Sequence, residues 1–286
     1  MVKKTVTLNC FLGDVEWSSD EKYLFYSRSD DAERPYQIWR HEIGTSSDND
    51  YLLYQEDDEQ FYLSIDKSGD ERFIIVSSGS ITSNEVYIIP ADQPLTELQS
   101  IKERDQNELY SIEFHKNKML LLSNRNDNKN FQLFCKNFNE IELLEKIKNN
   151  TKNSKSFLFE KEIGEDWNLI IKHDRSRLLE DLLTFDNHLV IEQRDSGSQK
   201  IQIIPINETN TIDMENSYFI EFPEKSYECT LYHNAEYFTD HVRYQYSSPI
   251  TPKSTFNFNM NTRAATLVKQ EPVLGNIDFS QYLVER

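Results

Sequence analysis

A serine nucleophile presented on a strand-to-helix elbow needs glycines on both sides, because the strained turn and the close helix leave no room for side chains. The chain has seven glycines, and none frames a serine as Gly-x-Ser-x-Gly. The nearest approaches, Ser78-Gly79-Ser80 and Ser196-Gly197-Ser198, follow strand-like runs and read as turn chemistry. Among the six histidines, His173 is followed by Asp174, a pair that could orient an imidazole but has no nucleophile beside it in sequence. His233 and His241 bracket a loop with Glu236 and Asp240. Those groups could hold a metal, but the spacing is not that of a His-Glu-x-x-His helix, and surface or packing histidines are the simpler reading. Glu56-Asp57-Asp58-Glu59 offers paired carboxylates for acid–base work. Its place between two strand-like runs favours solvated loop charges. Phosphate cradles of the Gly-x-x-x-x-Gly-Lys type are absent. Cys10, Cys135 and Cys229 are odd in number and far apart, which points to reduced, buried thiols rather than a disulfide framework or zinc site. No residue is assigned to catalysis, to a cofactor or to a metal.

The charge balance says more about partners. The 286 residues carry a formal net charge of -18 at neutral pH. Nucleic acid and anionic membranes are disfavoured, since phosphate binding needs a basic patch. Basic substrates are compatible, because a negative field draws them over long range. No apolar stretch approaches the roughly 20 residues needed to span a bilayer, and Met1-Val2-Lys3-Lys4 leads into Thr5, Thr7 and Asn9 rather than an apolar signal core. A cytoplasmic location is expected.

Any site must be carried by strands. Val242, Tyr244 and Tyr246 alternate with Arg243, Gln245 and Ser247; Phe256, Phe258 and Met260 alternate with Asn257, Asn259 and Asn261. That period of two marks strands with unlike faces. Continuous runs such as Phe73-Ile74-Ile75-Val76 and Met119-Leu120-Leu121-Leu122 fit strands covered on both faces. The strands group in fours, at 13–17, 23–28, 37–43 and 51–55; 61–66, 72–77, 85–89 and 98–102; 109–114, 118–123, 131–136 and 167–172; 179–185, 188–193, 200–204 and 218–222; and 228–233, 242–247, 255–259 and 266–270. A four-strand unit recurring about every 40–50 residues is the mark of an all-β propeller; a pair of β-sandwiches is the alternative. The blades are placed at 13–56, 61–103, 109–173, 178–222 and 227–270. Residues 1–12 hold the remnant strand (4–9) of a preceding blade, and 271–286 form a linker. Residues 137–165 are a Lys/Asn/Glu-rich insertion expected to be a mobile, solvated excursion, with a short helix or strand at 141–145.

Several stretches resemble the oligopeptidase B group of the prolyl oligopeptidase family of serine peptidases. They are Gly13-Asp14-Val15-Glu16-Trp17; Arg34-Pro35-Tyr36-Gln37-Ile38-Trp39-Arg40; Thr82-Ser83-Asn84-Glu85-Val86; Arg243-Tyr244-Gln245-Tyr246-Ser247-Ser248-Pro249-Ile250-Thr251-Pro252; and Lys269-Gln270-Glu271-Pro272-Val273. Their order and spacing carry the likeness more than any one piece. Pro249-Ile250-Thr251-Pro252 departs from the family, which more often has two threonines before the proline. The resemblance implies a propeller of seven blades, of which about five are counted here, so that the ring is open or incomplete. It also implies that residues 271–286 lead toward a peptidase domain with a Ser-His-Asp triad that cuts short peptides after Arg or Lys, the propeller gating access by size. This chain, without the triad, is expected to be inactive alone, with that peptidase domain and the basic oligopeptides of the whole enzyme as its partners. The alternatives are an autonomous protein-interaction propeller and a non-functional product of a split peptidase gene. An open arc would leave apolar blade faces uncovered. At roughly 25 cal/mol/Å² the forfeited burial is on the order of 10 kcal/mol or more, so self-association, distorted closure or marginal stability is expected.

Overall fold

The computed structural model describes residues 12–149, 167–275 and 281–285. The regular structure is almost entirely strand, in five four-stranded antiparallel sheets. The first sheet runs β1 (Leu12–Trp17), β2 (Tyr23–Ser29), β3 (Pro35–Glu42), β4 (Tyr51–Gln55); the second β5 (Tyr62–Lys67), β6 (Phe73–Gly79), β7 (Asn84–Pro90), β8 (Gln99–Ser100). The third holds β9 (Tyr110–His115), β10 (Lys118–Ser123), β11 (Gln132–Asn137) and β12 (Asn168–Ile171). The fourth is β13 (Arg177–Phe185), β14 (His188–Asp195), β15 (Ser198–Pro205), β16 (Tyr218–Phe219); the fifth β17 (Glu228–Leu231), β18 (His241–Ser247), β19 (Ser254–Asn259), β20 (Ala264–Gln270). Each sheet is a meander in chain order, as hairpin connections dictate. The candidate strand at 4–9 and Cys10 lie outside the described residues.

The chain divides into two compact units, Met1–Asp127 with Phe134–Leu169, and Asn128–Leu133 with Ile170–Arg286. In the first, the continuous apolar strand β6 explains itself. Ile74 and Val76 join Phe25, Ile38, Leu63 and Ile65 in one core, between the first two sheets. Phe73 and Ile75 point the other way and join Ile112, Phe114, Met119 and Leu121, between the second and third. In the second unit, Val190, Ile201 and Ile203 of the fourth sheet pack on Val242, Tyr244, Tyr246 and Phe258 of the fifth. One sheet cannot cover both of its own faces, so neighbouring sheets stack.

The side of the fifth sheet away from that core carries His241, Arg243, Gln245, Asn257 and Asn259, by strand alternation. On β18 and β19 this face is polar. Every residue of β20 is exposed.

Turn chemistry repeats in the first two sheets. Ser18 Oγ donates to Asp20 Oδ1 (2.7 Å) and accepts from Tyr23 N (3.0 Å), with Glu21 at φ 54°. Ser68, Asp70, Phe73 and Glu71 (φ 61°) repeat the arrangement. Ser196-Gly197, at φ 50° and 82°, is a two-residue hairpin turn between β14 and β15, while Gly79 ends β6.

The expected excursion after residue 137 is in part a helix, α1 (Glu140–Asn149). Asn139 Oδ1 caps it by accepting from Ile141 N (3.0 Å). Glu140 and Glu142 lie in its first turn and Lys146 and Lys148 in its last, which suits the helix dipole. Leu143 and Ile147, one turn apart, are buried in the core between the second and third sheets. Burial of that narrow stripe, not overall hydrophobicity, makes the segment ordered. Residues 150–166 lie outside the described residues.

Candidate functional site

The residues with candidate chemistry are dispersed. His41 is committed to Asp50 (Nδ1 to Oδ1 2.6 Å), and Asp50 also accepts from the Tyr26 hydroxyl (2.7 Å). Asp174 accepts from both the backbone and the hydroxyl of Ser176 (2.8 and 2.7 Å), which lowers its pKa and makes it a turn residue. His233, Glu236 and His241 do come together, with Arg243, around one cleft beside β18. Among the described residues, however, no three His, Cys, Asp or Glu side chains converge closely enough to hold a metal. Asp240 acts instead on His188, whose pKa is lowered by burial and partly restored by that carboxylate. Cys135 and Cys229 are buried free thiols; burial raises both, Cys229 to about 12.

The acidic run 56–59 needs a correction. Asp57, Asp58 and Glu59 are exposed as expected, but Glu56 is buried. It lies in the connection between β4 and β5. Its Oε2 accepts from Ser78 Oγ (2.6 Å) at the end of β6, and from Arg104 NH2 (2.6 Å) in the connection between β8 and β9. Arg104 lies 3.8 Å from the centre of the Phe61 ring. Arg34, in the β2–β3 loop and paired with Asp30, donates to the carbonyls of Asp58 and Phe61 (3.0 and 3.1 Å). Burial raises the Glu56 pKa, but the Ser78 and Arg104 hydrogen bonds outweigh it, and the net shift is downward.

The device recurs. Glu108, before β9, accepts from Ser123 Oγ at the end of β10 (2.8 Å) and from buried Lys102 (2.7 Å). In the second unit, Glu224, between β16 and β17, accepts from the hydroxyls of Tyr246 near the end of β18 and of Ser248 and Thr251 beyond it. Its pKa is also lowered, burial being outweighed by those three hydrogen bonds. In an antiparallel meander the connection into a sheet and its second-to-third-strand loop lie at the same end. A glutamate from the connection thus caps the neighbouring strand end in the second, third and fifth sheets.

A second acidic set lies on the strands that open the first four sheets, and on β14. In the first unit Asp66 (β5) and Glu71 act on Glu16 (β1), and Asp66 and Asp70 act on Glu113 (β9). Asp14 Oδ2 accepts from Ile65 N (3.3 Å) and Glu113 Oε2 from Gly69 N (3.1 Å), so carboxylates bridge successive sheets. Lys67 reaches Glu16 at 3.9 Å. Burial raises Glu113 to about 8, and neighbouring Asp66 and Asp70 add to the shift. Burial and Asp66 raise Glu16 against the pull of Lys67. In the second unit Glu192 (β14) accepts from Leu231 N (2.8 Å), and burial with Glu180 and Asp181 raises it. Lys67 near Glu16 and Arg194 near Glu180 and Glu192 offset burial and like charge only in part.

Five four-stranded meanders, stacked face to face where they share a core, are the blades of a β-propeller. The family model described as prolyl oligopeptidase, N-terminal beta-propeller domain, matches residues 2–271. The chain therefore belongs to the family of prolyl oligopeptidase N-terminal propellers. Among curated relatives it is 30% identical to Protease 2 of Moraxella lacunata over 96% of its length, and 28% identical to Dipeptidyl aminopeptidase BI of Pseudoxanthomonas mexicana over 94%. It spans 35% and 33% of those proteins. Oligopeptidase B from Trypanosoma brucei superposes with a TM-score of 0.79 at 20% identity, over 94% of this chain and 35% of that one. Oligopeptidase B from Leishmania major gives 0.77 at 21%, over 96% and 36%. These two likenesses concern the fold. Among the described residues no helix is long and apolar enough to cross a membrane.

Proposed function

We propose that this chain is the gating propeller of an oligopeptidase B-like serine peptidase that cleaves short peptides after Arg or Lys in the cytoplasm. In this reading the catalytic triad belongs to a peptidase domain with which residues 271–286 connect the propeller, and the propeller alone does not hydrolyse peptides. The observation that carries it is the family match over residues 2–271, with a 30%-identical Protease 2 as relative. Acidic residues of the opening strands such as Glu16 and Asp66, in a chain of net charge -18, add a physical reason for basic substrates, since a negative field attracts cationic peptides.

The test is to mix the chain with a separately prepared oligopeptidase B-type peptidase domain. The reading predicts co-elution, cleavage of short Arg- and Lys-containing peptides, and poor cleavage of long chains by the mixture relative to the peptidase domain alone. Serine-inhibitor-sensitive hydrolysis by this chain alone would contradict it. So would failure of the two to associate, which would favour an autonomous interaction propeller.

A further inference from the structure

We propose that the cleft beside β18 is a binding site for a small oxyanion, the carboxylate or phosphate group of a ligand, held by Arg243 with His233 and His241. The inference does not depend on the peptidase reading. The cleft has a volume of about 400 Å³ and lies between the 233–239 loop and the polar side of the fifth sheet.

Arg243 is placed for such a role. Its Nε donates to Asn257 Oδ1 (2.8 Å) on β19, which fixes the plane of the guanidinium. Among the described residues its two terminal nitrogens have neither a hydrogen bond nor an ion pair. Arg34, Arg72, Arg104 and Arg194 each meet a carboxylate at 2.6–3.1 Å. Arg28, Arg40 and Arg177 lack a carboxylate but give a terminal nitrogen to the Tyr26 hydroxyl and to the carbonyls of Pro94 and Lys172, whereas the terminal nitrogens of Arg243 are left for a ligand. The free edge of a guanidinium is a two-donor fork that matches a carboxylate or phosphate.

The loop over the cleft is fixed. Asn234 Oδ1 accepts from Arg243 N (2.7 Å), and its Nδ2 donates to Arg243 O (3.0 Å) and Tyr232 O (2.6 Å). Asn234 thus continues, with a side chain, the pairing that β17 gives up after Leu231. His233 and His241 line the same cleft, and an imidazole has at least one N–H to donate whatever its charge. Glu236 is the one carboxylate of the lining, and it forms no ion pair with Arg243 or either histidine among the described residues. A bound anion would meet it as a like charge.

The experiment is calorimetric titration of the full chain at low ionic strength with inorganic phosphate and, separately, with acetate. Saturable binding of either is expected. Tighter phosphate binding assigns a phosphate-bearing ligand, and tighter or equal acetate binding assigns a carboxylate. Arg243→Gln should weaken binding by about tenfold or more, the loss of a charge-assisted pair. Arg243→Lys should lie between the two, and Glu236→Gln should tighten binding severalfold. Thermal melts of the three variants identify any that fail to fold, and Glu236→Gln, on an exposed loop residue, keeps the test decisive if Arg243→Gln does. The proposal is overturned by no saturable binding at tens of millimolar, by a folded Arg243→Gln that binds like the parent, or by a Glu236→Gln that binds no more tightly.

Discussion

Two sets of carboxylates occupy different parts of the blades and titrate in opposite directions. The connection glutamates, Glu56 and Glu224, are held below the ordinary range because donors surround them. The opening-strand set, Glu16 and Glu113, with Glu192 on the adjoining β14, is held above it because burial and like charges outweigh the donors available. All five are partly or fully removed from water. What differs is whether the fold supplies positive charge or hydroxyls nearby. The first set staples one sheet to the next. The second holds its protons to higher pH, so its negative charge is complete only above the raised values.

The largest expected effect falls on the stapling set. Glu56→Ala removes the shorter of two carboxylate partners of Arg104 and the acceptor of Ser78 at a sheet junction. A buried pair broken on one side costs about 3–5 kcal/mol, reduced here to roughly 2–4 because Arg104 keeps Glu85 at 3.6 Å and some contact with water. Urea denaturation at neutral pH measures it, and a loss under about 1 kcal/mol would dissolve the distinction drawn above. Glu224→Ala removes an acceptor shared by three neutral hydroxyls. It should cost less, about 1–3 kcal/mol.

The opening-strand set should respond with the opposite sign. The Glu113 pKa rises on folding from 4.5 to about 8. The folded chain then holds more protons between those values, so this group's contribution to stability declines as pH rises through that window. Glu113→Gln should flatten that decline and leave the variant more stable than the parent at pH about 8, by on the order of 1–3 kcal/mol. Little difference is expected at pH about 4. For Glu56, whose folded value lies below 4.5, stability is complete above that pH and is lost on acidification through the folded value. Paired melts of Glu113→Gln and Glu56→Gln across pH separate the two limbs; equal slopes in both variants would contradict the account. Smallest of all, moderate salt screens repulsion within the opening-strand set and should raise the melting temperature slightly at pH about 8. That gain should shrink in Glu113→Gln.

Much of the framework was legible from strand periodicity. The apolar run at Phe73–Val76 announced a strand covered on both faces, and both cores confirm it. The repeated Ser-x-Asp turns at Ser18 and Ser68 are readable because the hydroxyl and carboxylate bonds are local. Outer strands were overestimated. Phe222 was assigned to a strand, yet β16 ends at Phe219 and Phe222 stacks on Tyr246 at 5.0 Å. Side-chain packing there displaces the strand pairing that propensity favours. Helix α1 was partly hidden because only Leu143 and Ile147 mark its buried stripe in a polar segment. Glu56 was unreadable for a different reason. Its neighbours in sequence are exposed acids, while its partners Ser78 and Arg104 are distant along the chain. The cleft at Arg243 is half visible in the sequence: His233, Glu236 and His241 bracket one loop, but Arg243 reads as the polar face of a strand.

The claim that the opening strands gather cationic peptides is tested most directly by measuring binding of a short arginine-rich peptide against a neutral peptide of equal length. The account predicts selective binding that weakens as salt is added. It predicts loss of that binding in Glu16→Gln/Asp66→Asn and its retention in a folded Glu56→Gln variant. Equal affinity for the neutral peptide, or undiminished binding by the double variant, would contradict it.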